Sequence, residues 1–280
     1  MRETIEFRIG EDDAQQHLES ELGVPLGDTL RKVVLPSDDK QVQRIARIDR
    51  SYREKGDAFF TYWRIHRKYT EEELESAELL NLIIRTYFEP PGTDFGTEYD
   101  ESAACTHCGA GAPLKTELIL NTKRVSRNKD IAQTIAGEVV VSSRFVAAFK
   151  EQGLRGAEFR PVFHSGRKST QSSEWFRPVF TSKPLTLDAR TVAGNHPFDL
   201  DERNEHRCPK GHIAGLNQVS ELYLKRASHD GSDLCLTDKY FGCRRGDLRP
   251  ERRLLISPKL RDVLEKMDAK GYALEVAHFV

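Results

Sequence analysis

The sequence predicts an α+β fold, built as a tandem repeat of strand-helix-strand units with mixed sheets. The first observation behind this prediction is an internal similarity at an offset of 115 residues. The stretch Val139–Phe145 (VVVSSRF) resembles Leu254–Leu260 (LLISPKL), and Gly156 corresponds to Gly271. Each copy has the pattern of a strand, a serine, a helix, a turn and a second strand.

The second observation is the position of one serine in each copy. Ser142 and Ser257 directly precede the two helical patterns, where a hydroxyl can accept a hydrogen bond from an unpaired helix N–H. Pro258 at the first helical position supports the second helix start, because its missing N–H costs nothing there. A weaker similarity between residues 118–123 and 234–239 extends the predicted repeat upstream.

The third observation is a pair of short turns, or zinc knuckles, that carry metal-ligand side chains. Cys105-Thr106-His107-Cys108-Gly109 offers two thiols, and Cys208-Pro209-Lys210-Gly211-His212 offers a thiol and an imidazole. Three sulfurs and one nitrogen suit a tetrahedral structural zinc with no open coordination position. We therefore expect Cys105, Cys108, Cys208 and His212 to bind one structural zinc, in a zinc-ribbon-like site that staples the two halves together.

The second turn departs from the usual pattern of such sites. A second Cys-x-x-Cys would be the ordinary match, and Gly211 stands where its second cysteine would be. The fourth ligand is then His212 or His206, or the site has lost its metal and is a degenerate ribbon with free thiols. A thioredoxin-like redox role for Cys105 and Cys108 is disfavoured, since no clear strand leads directly into them.

The overall composition is that of a globular protein with no general charge excess. The chain has 280 residues, with 43 basic and 44 acidic side chains, which argues against a general nucleic-acid or membrane-surface binder. No apolar run approaches the ~20 residues of a membrane-spanning helix, and the N-terminus lacks an apolar signal core. Five cysteines, an odd number, suit a reducing compartment. These features together predict a cytoplasmic protein.

The motifs divide the chain into four parts. They are an N-terminal α/β region at 1–100, a first knuckle and repeat unit at 101–165, a connecting loop region at 166–205, and a second knuckle and repeat unit at 206–280. The connecting region contains a Ser/Thr-rich segment, Ser169–Ser173, and is expected to be a mobile loop or a partner-binding surface.

A strong helix start lies inside the N-terminal region. Thr70 is placed as an N-cap, and Glu73 three residues later completes a capping box. The apolar residues from Leu74 to Ile83 are expected to carry this helix onward towards Phe88.

The remaining cysteines and a run of arginines have plain interpretations. Cys235 and Cys243 are expected to be buried free thiols, with a second metal site or a disulfide as alternatives. The arginines at 244, 245, 249, 252 and 253 are expected in a solvated loop, or in contact with phosphate or an acidic partner. We identify no catalytic or cofactor-binding motif in the sequence.

The two knuckles and the Val/Ile-Ser-x-Arg/Lys motifs resemble the double-CxxCG motif proteins. The resemblance covers roughly residues 100 to 279, with the second knuckle drifted to Cys208 and His212. Members of that family are linked to bacterial polymorphic toxins as immunity proteins. The resemblance implies a zinc-stapled, non-enzymatic protein that binds and blocks a cognate toxin by protein-protein contact.

A second hypothesis comes from the basic side chains. A nucleic-acid-associated zinc-ribbon protein would use the arginines at 244–253 and the basic-aromatic strand at 59–68. The expected partner remains a cognate toxin or another protein, with neither nucleic acid nor membrane favoured, and the oligomeric state stays open.

Overall fold

The computed structural model describes residues 1–166, 170–242 and 244–280. They form a mixed α+β structure, as the sequence predicts. The chain divides into two compact units, Met1–Glu73 and Leu74–Val280. Residues 74–100, which the sequence motifs assign to the N-terminal region, belong to the second unit.

The first unit is a four-stranded antiparallel sheet with two helices. Its strand order is β2-β3-β1-β4. Along the first strand, Ile5, Phe7 and Ile9 are buried, which is the alternation expected of a sheet covered on one face. The elements are β1 (Arg2–Gly10), α1 (Glu11–His17), β2 (Val24–Leu26), β3 (Leu30–Pro36), α2 (Lys40–Arg53) and β4 (Phe60–Lys68).

The prediction of a helix from Thr70 towards Phe88 is correct only for its first few residues. Its capping box forms: the Glu73 N–H donates to the Thr70 hydroxyl at 3.2 Å, and the Thr70 N–H donates to the Glu73 carboxylate at 2.8 Å. The helix α3 ends after five residues, however (Glu71–Glu75), and a strand β5 follows (Leu79–Ile84). This strand lies between two antiparallel neighbours and is buried almost throughout. Such a strand has a continuous apolar run that resembles a buried helix in sequence.

The described residues of the second unit form two six-stranded sheets, a three-stranded sheet and two nine-residue helices. After β5 come β6 (Tyr87–Phe88), β7 (Ile119–Leu120), β8 (Ile131–Thr134), β9 (Val139–Ser142), α4 (Ser143–Glu151), β10 (Ala157–His164) and β11 (Thr170–Phe180). Then follow β12 (Ala193–His196), β13 (Asp199–Leu200), β14 (Ile213–Ala214), β15 (Asn217–Gln218), β16 (Leu222–Leu224), β17 (Leu234–Gly242), β18 (Glu251–Ile256), α5 (Pro258–Lys266) and β19 (Tyr272–Phe279). The three-stranded sheet has the order β13-β12-β15.

The two six-stranded sheets have the same arrangement of strand directions. Their orders are β6-β8-β9-β11-β10-β7 and β14-β17-β18-β5-β19-β16. In both sheets the two outermost pairs are parallel and the three inner pairs are antiparallel. The strands at the fourth position come from different places in the chain: β5 precedes all other strands of the unit, whereas β11 lies in its middle, directly after β10.

The two helices have equal lengths and the predicted caps. Each has nine residues, and α5 starts 115 residues after the start of α4. The Ser142 hydroxyl accepts from the Phe145 N–H at 3.1 Å, and the Ser257 hydroxyl accepts from the Leu260 N–H at 3.2 Å. Side chains of both helices and both sheets share one core, which includes Phe145, Phe149, Leu260, Leu264, Leu80, Leu82, Ile131 and Leu254.

Two expectations about the second unit are corrected. Residues 166–205 are not simply a connecting loop, because they contain β11, whose Trp175 is buried and pairs with Ser142 of β9. The polar start of β11 gives this strand the composition of a loop; Ser169 lies outside the described residues.

The similarity of 118–123 to 234–239 does not mark equivalent strands. The first segment contains the edge strand β7, whereas the second belongs to β17, which pairs with β18.

Candidate metal centre

The first knuckle is a tight turn closed by backbone hydrogen bonds. The Gly109 N–H donates to the Cys105 carbonyl at 2.7 Å, and the Cys105 N–H donates to the Ala110 carbonyl at 2.8 Å. Gly109 has φ +68°, a left-handed conformation that residues with a Cβ adopt at a cost. The turn therefore aims the two thiols of Cys105 and Cys108 to one side of the chain.

The second knuckle repeats this geometry with an imidazole as its second donor. The Gly211 N–H donates to the Cys208 carbonyl at 2.7 Å, and the Cys208 N–H donates to the His212 carbonyl at 3.0 Å. Gly211 has φ +74°. The Lys210 N–H donates to the Cys208 sulfur at 3.3 Å.

The two knuckles converge, and the four predicted ligand atoms lie within 4.8 Å of one another. The Sγ atoms of Cys105 and Cys208 are 3.9 Å apart, and Cys108 Sγ is 3.3 Å from His212 Nδ1. Zinc–sulfur bonds of about 2.3 Å in a tetrahedron place two sulfurs roughly 3.8 Å apart. The donor set and its spacing therefore fit a metal ion of that size.

His212, rather than His206, is the imidazole of this group. Its ring packs edge-on against Tyr240, with centroids 5.3 Å apart, which fixes the orientation of Nδ1. His206 is not part of the four-residue cluster; its backbone N–H donates to Asp201 at 3.0 Å. The structure thus separates the two alternatives that the sequence left open.

The local electrostatics favour the metal-binding forms of Cys105 and His212. Hydrogen bonds from the backbone N–H groups of His107 and Cys108 lower the pKa of Cys105 to about 7. Burial, with Lys239 and Lys210 nearby, lowers the pKa of His212 and keeps its ring neutral. Burial raises the pKa of Cys108 to about 11, so this thiol keeps its proton until a metal ion displaces it.

The first knuckle is surrounded by further side chains. No motif in the sequence connects these side chains with the site. Arg244 and Arg249 both donate to Glu101, at 2.5 and 2.9 Å. Arg249 also stacks on the ring of Tyr99, 3.8 Å from its centroid. Glu101 therefore joins the chain before the first knuckle to the segment after β17.

Two glycines make this close packing possible. A Cβ on Gly109 would lie 2.8 Å from Cδ of Arg244, and a Cβ on Gly111 would lie 2.8 Å from the hydroxyl of Tyr240. The Gly-Ala-Gly sequence was the one local signal of a close approach here. Nothing in the spacing of the chain could identify Arg244 or Tyr240 as the partners.

The arginine run is largely engaged within the molecule. Besides Arg244 and Arg249, Arg252 lies over the ring of Tyr240 at 4.8 Å, and Arg253 lies over Phe241 at 4.8 Å. Arg253 also donates to Gln218 at 3.0 Å. These four arginines are thus not a solvated loop with free charges.

The other predicted cysteine pair is described only in part. Cys235 is a buried free thiol, as predicted, and burial raises its pKa to about 11. Cys243 lies outside the described residues. Among the residues described, the one group of three or more metal-ligating side chains that involves cysteine is the Cys3His cluster.

Comparison with known proteins adds no family to these observations. No protein-family model matches the chain, and no curated protein matches it with significance. Within the described part of the chain, no helix combines the length and apolar character needed to cross a membrane.

Proposed function

We propose that this protein is a non-enzymatic zinc-binding protein that neutralises a toxin by binding to it. The observation that carries the proposal is the convergence of Cys105, Cys108, Cys208 and His212 from two distant segments. Four protein donors leave a tetrahedral metal without a position for water or substrate, so the metal holds the fold together. The resemblance to the double-CxxCG motif proteins supports the role as an immunity protein.

Zinc is the metal that this donor set favours. Three sulfurs and one imidazole nitrogen at tetrahedral spacing suit zinc, whereas magnesium and calcium prefer oxygen ligands. Binding such a metal requires reduced thiols, which supports a cytoplasmic protein.

The proposal includes a tandem repeat in the second unit. Helices α4 and α5 have the same length, their serine caps have the same hydrogen bond, and the two sheets have the same strand arrangement. A knuckle precedes each copy, so that one zinc draws a pair of ligands from each half. The zinc then acts as a clamp between two copies of one unit.

The nucleic-acid alternative finds less support. A protein that neutralises phosphates needs basic side chains that are free to face the nucleic acid. Arg244 and Arg249 instead pair with Glu101, and Arg252 and Arg253 lie against aromatic rings. The proposed partner is therefore a protein.

Co-expression with the product of the adjacent gene tests the proposed function. We expect a stable complex in size-exclusion chromatography, and survival of cells that die when the neighbouring protein is expressed alone. Absence of both effects would overturn the immunity role. Elemental analysis tests the metal independently: about one zinc per chain is expected from a single closed site, and less than ~0.2 would overturn it.

A further inference from the structure

The sheet of the first unit has one covered face and one open face. Helices α1 and α2 contact β1 and β3, and Phe7, Ile9 and Val33 of those strands are buried, as is Ile45 of α2. The side chains of alternate residues point to the opposite face. That face has no helix of this unit over it, and we call it the open face.

The open face carries five basic residues and a single acidic residue. Arg2, Arg8, Lys32, Arg64 and Lys68 occupy the alternate positions of β1, β3 and β4, as their cross-strand pairing shows. The acidic residue is Glu6. The unit as a whole has 13 basic and 16 acidic residues. Its net charge is therefore negative, whereas the open face is positively charged.

Glu6 organises this face without neutralising it. Its side chain is only 6% exposed, and its carboxylate lies 3.2 Å from Arg8 Nε, 3.6 Å from Lys32 Nζ and 3.0 Å from His66 Nε2. Burial raises its pKa, but the hydrogen bonds from His66 and Arg8 outweigh this and the pKa is lowered. One ionised carboxylate thus holds Arg8, Lys32 and His66, whereas Arg2, Arg64 and Lys68 are exposed on the same face.

Apolar side chains border the basic ones on the same face. Val24, Leu26 and Val34 are 59%, 41% and 46% exposed, and Val24 is paired with Lys32 across the strands. Val34 is paired with Glu6. Exposed aliphatic groups next to arginines are typical of protein-protein interfaces rather than of a solvated surface.

The open face does not have the aromatic surface that nucleic-acid bases need. The ring of Tyr62 is covered by the guanidinium of Arg8, 4.2 Å from its centroid. Trp63 is paired with Phe7, and cross-strand partners share a face, so Trp63 lies on the helix-covered side. Single-stranded nucleic acids are bound by stacking on free aromatic side chains, and neither of these two rings is free to stack with a base.

We propose that the open face is the docking surface for an acidic protein surface. Under the proposed function, from which the partner's identity follows, this acidic surface belongs to the toxin. Lys32, Arg64 and Lys68 would pair with carboxylates of the partner, while Val24 and Val34 would pack against apolar side chains at the border of the contact. The charge complementarity speeds encounter and selects the partner.

Charge reversal on the open face tests this assignment. The variant Lys32→Glu/Arg64→Glu is compared with Lys40→Glu/Arg47→Glu, which makes the same charge change at exposed positions of α2. Binding to the adjacent gene product is measured by calorimetry at two salt concentrations. We expect at least a 100-fold loss of affinity for the open-face variant, a weaker salt dependence, and less than a 3-fold change for the control. Equal affinities for the two variants would overturn the docking surface and leave the proposed function standing.

Two chemical probes keep the test independent of the partner. Oligo-glutamate and a DNA duplex of matched charge are added to the ¹⁵N-labelled full chain. We expect oligo-glutamate to shift amide signals of β1, β3 and β4, and Lys32→Glu/Arg64→Glu to abolish those shifts. Oligo-glutamate could give these shifts although the adjacent gene product does not bind. That result would contradict the immunity role and support the open face as a docking surface for acidic proteins. No shift with oligo-glutamate, or tighter binding of DNA at this face, would overturn the inference.

Discussion

The carboxylate of Asp130 accepts a hydrogen bond from the backbone N–H of Lys270 at 3.0 Å, across 140 residues of chain. The same carboxylate accepts from the hydroxyl of Ser142 at 2.8 Å and from Arg144 at 2.8 Å. Its side chain is 5% exposed. Asp130 therefore ties the start of α4 to the turn that leads into β19.

The second half of the unit has the reciprocal contact. Asp233 accepts from the hydroxyl of Ser257 at 2.7 Å and from the backbone N–H of Arg155 at 2.9 Å. Ser257 caps α5, and Arg155 precedes β10. Each aspartate thus holds the helix cap of its own half and the turn of the other, so the two halves are joined at two related places besides the knuckles.

The first prediction concerns acid stability and Asp130. Burial raises the pKa of Asp130, but hydrogen bonds from Arg144, Ser142 and the Lys270 N–H outweigh this and lower it below its ordinary value. A lowered folded-state pKa contributes stability that is present above the ordinary pKa of about 3.8 and is lost as the pH falls. We expect Asp130→Asn to lower the free energy of unfolding by about 2 kcal/mol at pH 7, and this difference to shrink towards pH 3.

Urea unfolding from pH 7 to pH 3 measures this effect. Asp268→Asn is the matched control, because Asp268 also pairs with Lys270 but its side chain is 81% exposed. The control should change the free energy of unfolding by less than about 0.5 kcal/mol at every pH. A deficit for Asp130→Asn that stays constant over the whole pH range would contradict the prediction.

The second prediction concerns the glycine beside each aspartate contact. Gly271 has φ +108°, and a Cβ there would lie 2.1 Å from the carbonyl oxygen of Ile131. Gly156 has φ +113°, and its Cβ would lie 2.1 Å from the carbonyl oxygen of Leu234. We expect Gly271→Ala and Gly156→Ala each to cost at least about 3 kcal/mol, since backbone strain and a clash with rigid backbone add together.

Gly96→Ala separates the two contributions to this cost. Gly96 has φ +94°, and a Cβ there would have no atom within 4 Å, so only the backbone strain of about 1 kcal/mol or somewhat more should remain. Thermal or urea unfolding of the three variants gives the comparison. Equal losses at Gly96 and Gly271 would show that the close approach to Ile131 does not matter.

Features determined by neighbouring residues could be predicted from the sequence. The caps at Ser142 and Ser257 formed as expected because a cap needs only a serine, a following helix and its free N–H groups. The Cys105 and Cys108 turn could be identified for the same reason, since it is closed by residues within six positions.

Features that depend on distant partners could not be predicted. Leu79–Ile84 became a strand because β18 and β19 flank it, and both lie more than 160 residues later in the chain. The polar start of β11 resembled a loop because its pairing with β10 is not visible in its composition. Around the metal centre, Glu101 and its arginines are likewise joined only by the fold.

The third prediction uses the two serine caps as a test of equivalence between the halves. Each hydroxyl accepts from a helix N–H and donates to a buried aspartate. We expect Ser142→Ala and Ser257→Ala each to lower the free energy of unfolding by about 1 to 2 kcal/mol. Ser143→Ala is the control, because Ser143 is exposed and not the cap, and should change stability by less than about 0.5 kcal/mol. A large effect at one cap and none at the other would argue against equivalent roles.

The fourth prediction concerns metal removal. Because the four proposed ligands come from segments about 100 residues apart, a metal ion bound to them would contribute its binding free energy to folding. We expect a chelator to lower the melting temperature of the wild-type protein by more than about 5 °C, which corresponds to a loss of more than about 1 to 2 kcal/mol for a domain of this size. Cys208→Ser should melt at the lower temperature without chelator, and adding chelator should change it little.

Cys235→Ala is the control that separates metal binding from the loss of a buried thiol. Cys235 is buried, like Cys105, but lies outside the Cys3His cluster, so its replacement removes core contacts and leaves the ligands intact. This variant should be less stable than the wild type by about 1 to 2 kcal/mol, yet keep the full chelator-dependent shift in melting temperature. Differential scanning calorimetry with and without chelator gives both values. A chelator effect that persists in Cys208→Ser would place the metal somewhere other than between the two knuckles.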